Sequence, residues 1–451
     1  MEERSGDQWN LRYVGFSTRL RTQPVDENGR HIISPSESSL IVAILSAGTA
    51  VGALLSAPAG DSIGRRLSLL ASVVVFCFGG IFQVCASSIP MLVVGRFFAS
   101  VGVGSISVLF PLYRSEIAPK WIRGPLLYAY QLSITIDLLL ASVVNMLTQH
   151  IDSAAAYRIP LGLQLVWTII LAITLSIAPE TPRYLVKRGN AEAAGLSLSR
   201  LRRLDITHPA LLDELQEMIA NHKYELTLGP DTYKEVFMGS PRLGQRIFTR
   251  CSLQLLQQLT GINFVMYFST AFFTSVNIKD PTLISLILRI INVISTIPGL
   301  LVVESCGRRK LLLVGAAGMA ICQLLIASFS AAASDDLRHT AHIILIVFCA
   351  INIFFFATSW GPVPWVVTSE IYPVKVRVKA MSISTLTNWL PNFPIAYGTP
   401  FIVGEGTGHG GIGPKIFFIC GAFCMIAMLF VCCMVYETSN VTLEQIGEMY
   451  E

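Results

Sequence analysis

Charged side chains are scarce in this chain. Only 14% of its 451 residues are Asp, Glu, Lys or Arg, whereas soluble domains carry roughly 25%. Apolar residues make up 53% of the sequence, and the mean hydropathy is +0.59. A soluble enzyme could not keep this much apolar surface out of water. That class is therefore excluded, and a membrane protein is predicted.

Metal-binding and disulfide patterns are also lacking. The ten cysteines form no CxxC pair, and the seven histidines are scattered. We find no nucleophile–base or metal constellation, so we expect neither an enzyme nor a cofactor. Cysteines inside apolar runs are expected to be small packing residues. These are Cys77, Cys85, Cys322, Cys349, Cys420, Cys424, Cys432 and Cys433.

Long charge-free runs account for the shortage of charge. About 20 apolar residues are needed for a helix to cross the ~30 Å hydrocarbon core. An isolated run could be a buried core helix, but a series of eleven predicts an all-α, polytopic membrane protein. The predicted spans are residues 39–58, 68–88, 91–112, 124–147, 158–178, 247–272, 282–303, 310–331, 342–368, 378–402 and 415–436.

Basic residues are concentrated in alternate loops, which sets the orientation. Loops rich in lysine and arginine face the cytoplasm in most membrane proteins. The set predicted to be cytoplasmic contains residues 60–66, 113–124, 304–310 and 372–379, together with the polar insert between the fifth and sixth spans.

The spans and the insert divide the chain into five parts. They are a polar segment (1–38), an N-terminal helical bundle (39–178), a cytoplasmic linker (179–246), a C-terminal bundle (247–436) and a short cytoplasmic tail (437–451). The linker contains two amphipathic, helix-like stretches. Residues 1–38 hold neither a spanning run nor a signal-peptide core. We therefore expect that a first helix is missing from the N-terminal bundle.

Short phrases recur from one bundle to the other. GRR occupies 64–66 and 307–309, SEIxPxxxR occupies 115–123 and 369–377, and PETPR at 179–183 is echoed by YETSN at 436–440. Every copy lies at the predicted cytoplasmic end of a span. Two similar halves related by an axis along the membrane normal are a known transporter architecture.

Nine motifs in order resemble the sugar porter family of the major facilitator superfamily. They are DSIGRR, GRFFASVGVG, SEIAPKWIRG, PETPRYL, QQLTGINFVMY, ESCGRR, WGPVPW, NW and YETSNVTLEQI, and the similarity runs from Ser39 to Ile446. It is greatest to fungal monosaccharide permeases, with quinate permeases close. The resemblance implies two pseudo-symmetric helical bundles, a multi-pass protein of the plasma membrane, a monomer, a sugar substrate and proton coupling in the full-length family.

The repeated acid-and-base phrases are expected to form a cytoplasmic gate. Arginines and glutamates can pair there when the inner side is closed and separate when it opens. The alternative is that the arginines only enforce orientation and the acids solvate the rim. By resemblance, the gate comprises Asp61, Arg65, Arg66, Glu116, Arg123, Glu180, Glu304, Arg308, Arg309, Glu370, Arg377 and Glu437.

Uncharged amides within spans predict a sugar site. Amides both donate and accept hydrogen bonds, as a ring of hydroxyls requires, but they are costly in a membrane unless paired or facing a polar cavity. Some of them could instead join helices. The family places substrate contacts at the matching positions. The predicted set is Gln131, Gln257, Gln258, Asn263, Tyr267, Asn292, Trp365, Asn388 and Trp389.

Three charged residues lie deep within predicted spans: Arg96, Asp137 and Arg289. Charges at such depth are normally partnered. By resemblance, the arginine matching Arg96 faces an aspartate on the first helix in proton-coupled relatives. We expect a contact between Asp137 and Arg289 that joins the two halves. The alternative is a protonated Asp137, or one paired with Arg96, with Arg289 reaching the outer headgroups.

The sequence therefore favours a hexose or pentose transporter. A quinate or polyol permease remains open, although quinate would favour a cation near the site. A nutrient sensor that does not transport and an inactive truncated product also remain open. The expected partners are a small-molecule sugar, protons and the lipid bilayer, with no nucleic acid.

Overall fold

A computed structural model describes residues 35–119, 123–148, 151, 153, 155–227, 232–239, 242–266, 280–332, 338–370, 372, 374–403 and 415–437. Every regular element within these ranges is helical. The all-α prediction is therefore confirmed for the described part of the chain.

Five long helices form the N-terminal half. Glycines allow α1 and α3 to pack closely, because a Cβ on Gly52 would collide with the Val101 carbonyl oxygen and one on Gly104 would collide with that of Thr49. Small residues commonly permit such approaches between membrane helices. The helices are α1 (Pro35–Ile63), α2 (Arg65–Val84), α3 (Ile89–Ile117), α4 (Arg123–Thr148) and α5 (Ala155–Ile177).

The linker folds into four helices rather than the predicted pair. The two amphipathic stretches form α7 (Ala191–Arg202) and α8 (Pro209–Thr227), and short helices precede and follow them, α6 (Pro182–Lys187) and α9 (Tyr233–Met238). The side chains of Thr181 and Thr232 cap the N-termini of these short helices. Threonine is among the preferred N-cap residues.

Seven helices and one π-helical turn form the C-terminal half. Apolar side chains from most of these elements form one continuous core. The elements are α10 (Leu243–Leu259), α11 (Pro281–Cys306), α12 (Arg308–Ala332), α13 (Arg338–Phe355), the π-turn Phe356–Trp360, α14 (Val363–Glu370), α15 (Val374–Val403) and α16 (Ile416–Met434).

Nine helices in the described residues are long and apolar enough to cross a membrane. They correspond to nine of the eleven predicted spans. The predicted span 247–272 begins in α10 and continues beyond the described residues. The predicted span 378–402 lies in α15, which is 30 residues long but carries buried polar side chains such as Ser382, Asn388 and Asn392.

The two halves meet along α1 with α15 and along α4 with α11. Near the predicted cytoplasmic ends of α1, α3 and α15, six buried apolar residues fill the space between the halves. We call this cluster the apolar plug. It consists of Ala53, Ala57, Val108, Leu112, Val378 and Met381. The plug lies where α1 and α3 of the N-terminal half meet α15 of the C-terminal half.

Candidate functional site

A π-helical turn interrupts the span formed by α13 and α14. Pro364 has no backbone N–H, so the Trp360 carbonyl lacks a donor four residues further on. Gln257 occupies this position: its Nε2 donates to the carbonyl oxygens of Trp360 at 2.6 Å and Gly361 at 2.9 Å. Such turns recur at functional sites. The irregular backbone thus holds one predicted amide in place.

Further amides from α10 and α15 join Gln257. Asn388 donates from Nδ2 to the Oε1 atoms of Gln254 at 2.6 Å and Gln257 at 2.8 Å. Gln258 donates from Nε2 to Asn388 Oδ1 at 2.6 Å. We call the connected set the amide cluster. Its members are Gln254, Gln257, Gln258, Asn263, Asn388 and Asn392.

A bend in the chain brings Asn263 into the cluster. Helix α10 ends at Leu259, and Gly261 has a φ of 78°, which glycine adopts without strain. Asn263 then donates from Nδ2 to Gln258 and to Asn392 Oδ1 at 3.0 Å. Both predicted glutamines consequently occupy the last turn of α10, not the middle of an unbroken helix.

The N-terminal half contributes side chains beside the same backbone. A Cβ placed on Gly361 would lie 3.3 Å from Gln131 Nε2. The Tyr130 ring meets the Trp365 ring edge-on, with centroids 6.2 Å apart. Predicted residues from opposite halves therefore adjoin at Gly361 and Trp365.

The other predicted residues are not linked to the amide cluster by a hydrogen bond in the described part. Asn292 is buried on α11, and its Oδ1 makes no hydrogen bond. The Nε1 atom of Trp389 on α15 is also buried without an acceptor. Tyr267 lies outside the described residues.

Sequence reasoning missed two members of the amide cluster, Gln254 and Asn392. Both are almost fully buried. Gln254 lies three residues before Gln257, and Asn392 lies four residues after Asn388, spacings that place side chains on one face of a helix. This spacing was the signal that could have revealed them.

Comparison with known proteins decides the family. The family described as "Sugar (and other) transporter" matches residues 9–450. The chain belongs to the sugar transporter family. Its members are membrane transporters of the major facilitator superfamily, so the predicted family, fold and multi-pass membrane location are confirmed.

Relatives of this sugar transporter chain cover nearly all of it. The "Probable glucose transporter rco-3" of Neurospora crassa is 60% identical across 98% of the chain and 75% of its own length. The "High glucose sensor RGT2" of Saccharomyces cerevisiae is 41% identical across 92% of the chain and 55% of its own length.

A solved bacterial transporter matches the fold. The proton:xylose symporter XylE bound to 6-bromo-6-deoxy-D-glucose has a TM-score of 0.82 at 26% identity, covering 99% of this chain and 94% of that chain. The inward-open form of XylE from E. coli has a TM-score of 0.72 at 25% identity, covering 99% of this chain and 96% of that chain. The fold of this chain is therefore more similar to the form with the bound sugar analogue than to this inward-open form.

Gate residues of the N-terminal half pair with one another. Arg65 Nη2 lies 3.2 Å from Glu116 Oε1, and Arg65 Nη1 lies 3.6 Å from Asp61 Oδ1.

Glu180 accepts hydrogen bonds from the backbone N–H groups of Arg65 and Arg66, which begin α2. Burial raises the pKa of the Glu180 carboxyl, and hydrogen bonds from Thr181, Arg66 and Arg65 oppose this effect. A carboxylate at a helix N-terminus also complements the helix dipole.

The C-terminal half repeats this arrangement. Glu437 accepts hydrogen bonds from the backbone N–H of Arg308 at 2.8 Å and of Arg309 at 3.1 Å, where α12 begins. The Arg309 side chain donates to the Cys432 carbonyl at 2.6 Å, as the Arg66 side chain donates to that of Leu175 at 2.9 Å. The sequence repeat therefore corresponds to a repeated network at two helix N-termini.

The structure describes fewer contacts for the other predicted gate residues. Arg377 is buried and donates to the Tyr372 carbonyl at 3.1 Å. The side chains of Arg123, Glu304 and Glu370 lie outside the described part.

The ion pairs described above lie within one half, whereas the predicted gate pairs span two. Among the described residues, a cross-half pair joins Asp61 Oδ2 to Lys379 Nζ of α15 at 3.9 Å. Lys187 of the linker contacts the same carboxylate at 3.2 Å. Sequence reasoning missed both lysines, because neither belongs to the repeated phrases.

Replacing Lys379 with alanine is expected to favour the inward-open form. The side chains of Lys379 and Asp61 are 15% and 21% exposed, with Nζ and Oδ2 3.9 Å apart. A partly solvated pair at this distance contributes about 0–1 kcal/mol, so the shift should be at most about fivefold. The rate at which a cytoplasmic maleimide labels Ala57→Cys, in the apolar plug, measures opening. Lys187→Ala is the matched control, because it removes a contact between Asp61 and the linker that does not join the two halves. Equal labelling rates for Lys379→Ala and the parent would contradict the cross-half role.

The three charges within spans have different surroundings. Arg96 donates from Nη1 to the Ile41 carbonyl at 3.0 Å, and Arg289 donates to that of Met266. Asp137 is exposed on the protein surface and makes no ion pair with any described residue. Helices α4 and α11 do pack together. The expected Asp137–Arg289 contact is nevertheless not made in this conformation, because Arg289 is directed to backbone within its own half.

Proposed function

We propose that this member of the sugar transporter family carries a monosaccharide, a hexose or pentose, across the plasma membrane by alternating access. The amide cluster is the observation that carries the proposal. Its uncharged side chains lie between α10 and α15, next to the Gly361 and Trp365 positions where the two halves adjoin. Rocking of the halves would expose this region to each side in turn.

The chemistry of the region suits a polyol. Sugar hydroxyls both donate and accept, and side-chain amides match them without a charge. The Trp365 ring can cover the C–H face of a sugar. Trp389 Nε1, Asn292 Oδ1 and Gln254 Nε2 are buried without hydrogen-bond partners. Such atoms are costly to leave unpaired, and bound hydroxyls would satisfy them.

The names of similar proteins support the same substrate class. The relative rco-3 is named a probable glucose transporter, and XylE is named a proton:xylose symporter. Proton coupling is accordingly part of the proposal. The chain acts as a monomer, and it moves its substrate without converting it.

Uptake of labelled sugars into transporter-deficient yeast tests the proposal. We expect saturable uptake of at least one hexose or pentose, faster at acidic external pH and lost with a protonophore. Glucose and xylose form the first panel. Absence of uptake for every sugar, with the chain present at the cell surface, would contradict transport and favour the sensor alternative.

A single cation supports a second candidate substrate, quinate. Arg114 stands over the Phe110 ring, with Cζ 5.2 Å from the centroid. Phe110 contacts Tyr130, which contacts Trp365. Arg114 makes no ion pair with any described residue. The guanidinium of Arg114, at the end of this chain of three contacting aromatic rings, could bind the carboxylate of a polyol acid.

Removal of Arg114 should separate the two substrates. Hydrogen bonds to charged groups contribute about 1.5–3 kcal/mol, and 1.4 kcal/mol is about tenfold. Arg114→Leu should therefore weaken quinate inhibition of glucose uptake at least about tenfold and leave glucose affinity unchanged. Arg158→Leu, which removes a guanidinium on the Tyr157 ring of α5, is the control. Equal inhibition in both variants, or none in the parent, would exclude quinate.

A further inference from the structure

The cysteines do not all pack as the sequence analysis expected. Cys322, Cys349, Cys420 and Cys424 are buried, as predicted. Four others are exposed free thiols: Cys85, Cys306, Cys432 and Cys433. The packing prediction is therefore wrong for Cys85, Cys432 and Cys433. Their side chains lie on the outer surface of the helical bundles, where packing offers no reason for a thiol.

Three of the exposed thiols lie at one corner of the protein. Cys306 is the last residue of α11, and Cys432 and Cys433 lie in the last turn of α16. These helix ends are held together, because the Arg309 side chain donates to the Cys432 carbonyl at 2.6 Å. Glu437 also accepts from the Arg309 backbone N–H at 3.1 Å. The described residues contain no group of three or more His, Cys, Asp or Glu suited to a metal ion, so metal binding does not explain this corner.

The corner faces the cytoplasm at the edge of the hydrocarbon core. GRRK at 307–310 belongs to the basic set of loops, which face the cytoplasm. Helix α16 has 19 residues and a mean hydropathy of 2.8, so it just spans the core. Cys433 lies one residue before its end, about 1.5 Å along the helix axis. A thiol at this depth can meet a water-soluble reagent, and a chain attached to it can return to the bilayer.

We propose that Cys432 and Cys433, with Cys306 as a third acceptor, are S-acylated by a long-chain acyl thioester such as acyl-coenzyme A. Juxtamembrane cysteines are the usual acceptors of this reversible modification. The cysteine thiol gives up its proton and its sulfur attacks the acyl carbonyl carbon. A new S–C bond forms, the S–C bond between the acyl group and the carrier breaks, and the leaving carrier thiolate takes up a proton. One thioester replaces another, so no oxidant is needed. Arg309, which contacts the Cys432 carbonyl, and the exposed Lys310 that follows it supply positive charge at this corner for the phosphates of such a carrier.

Acyl exchange on the full chain expressed in fungal cells tests the proposal. Free thiols are blocked with N-ethylmaleimide, thioesters are cleaved with hydroxylamine, and the released thiols are tagged with a polyethylene glycol maleimide. We expect a hydroxylamine-dependent gel shift. The variant Cys432→Ser/Cys433→Ser should lose most of it, and addition of Cys306→Ser should abolish the rest. Sugar uptake does not enter the measurement, so the result is independent of the proposed substrate.

Cys85→Ser is the matched control, because Cys85 is also exposed but follows the C-terminal end of α2, the end opposite to Arg65 and the predicted cytoplasmic side. It should leave the shift unchanged. Size-exclusion profiles identical to the parent will show that the serine variants fold. No hydroxylamine-dependent shift in the parent, or a full shift in the triple variant, would overturn the proposal.

Discussion

Trp365→Ala and Gln131→Ala are each expected to abolish sugar uptake at low substrate concentration. Loss of an apolar ring contact costs up to about 1.5–3 kcal/mol, and leaving a bound hydroxyl without its amide partner costs about 1–3 kcal/mol. Each 1.4 kcal/mol corresponds to about tenfold in affinity. Trp365 and Gln131 flank the point where the halves adjoin. We therefore expect sugar affinity to fall about tenfold to a hundredfold, measured by uptake kinetics and by calorimetric binding to the purified protein.

A second tryptophan provides the control for this result. Trp167 lies on α5 and is 51% exposed, so Trp167→Ala removes the same side chain from a lipid-facing surface. It should leave sugar affinity unchanged. Trp365→Phe should retain part of the affinity, because a ring still covers the sugar. Unaltered affinity in both Trp365→Ala and Gln131→Ala would remove the proposed site.

Glu116→Leu is expected to have the largest effect on stability. The side chains of Arg65 and Glu116 are 5% and 3% exposed, with Nη2 and Oε1 3.2 Å apart. Removing one partner of a buried ion pair strands a charge and costs about 3–5 kcal/mol. Replacing both partners is often far less costly. The double variant Arg65→Met/Glu116→Leu should thus be more stable than Glu116→Leu alone, judged by thermal unfolding in detergent.

The linker offers a comparison that separates burial from distance. Arg202 and Glu214 are closer, at 2.6 Å, but their side chains are 15% and 30% exposed. More exposed pairs contribute about 0–1 kcal/mol. Glu214→Leu should therefore lower the melting temperature much less than Glu116→Leu. If the two variants are equally destabilised, or if the double variant unfolds first, the account of the buried pair is wrong.

Features that are set by residues close together in the sequence could be predicted. Hydropathy located the spans, because each must cover the hydrocarbon core by itself. The repeated phrases located two equivalent helix N-termini, at Arg65 and Arg308, since the same local chemistry is needed in each half. The predicted amides Gln257, Gln258, Asn263 and Asn388 also lie together, in one hydrogen-bonded cluster.

Pairings that depend on tertiary geometry could not be predicted. The repeated phrases name acids and bases, but they do not say which helix supplies the partner. Glu180 was expected to pair with arginine side chains, yet its carboxylate binds backbone N–H groups at the start of α2. The cross-half contact of Asp61 uses Lys379, which lies outside both phrases. Likewise, the role of Pro364 in freeing the Trp360 carbonyl appears only once the π-turn is known.

Exchange of labelled glucose by the purified chain in proteoliposomes will show whether the chain itself transports sugar. Vesicles loaded with unlabelled glucose should accumulate external label through the intact protein, and vesicles carrying Trp365→Ala should not. This outcome would show that the chain itself moves sugar through the site between its halves. Equal accumulation in vesicles with the parent, with Trp365→Ala and with no protein would contradict that claim.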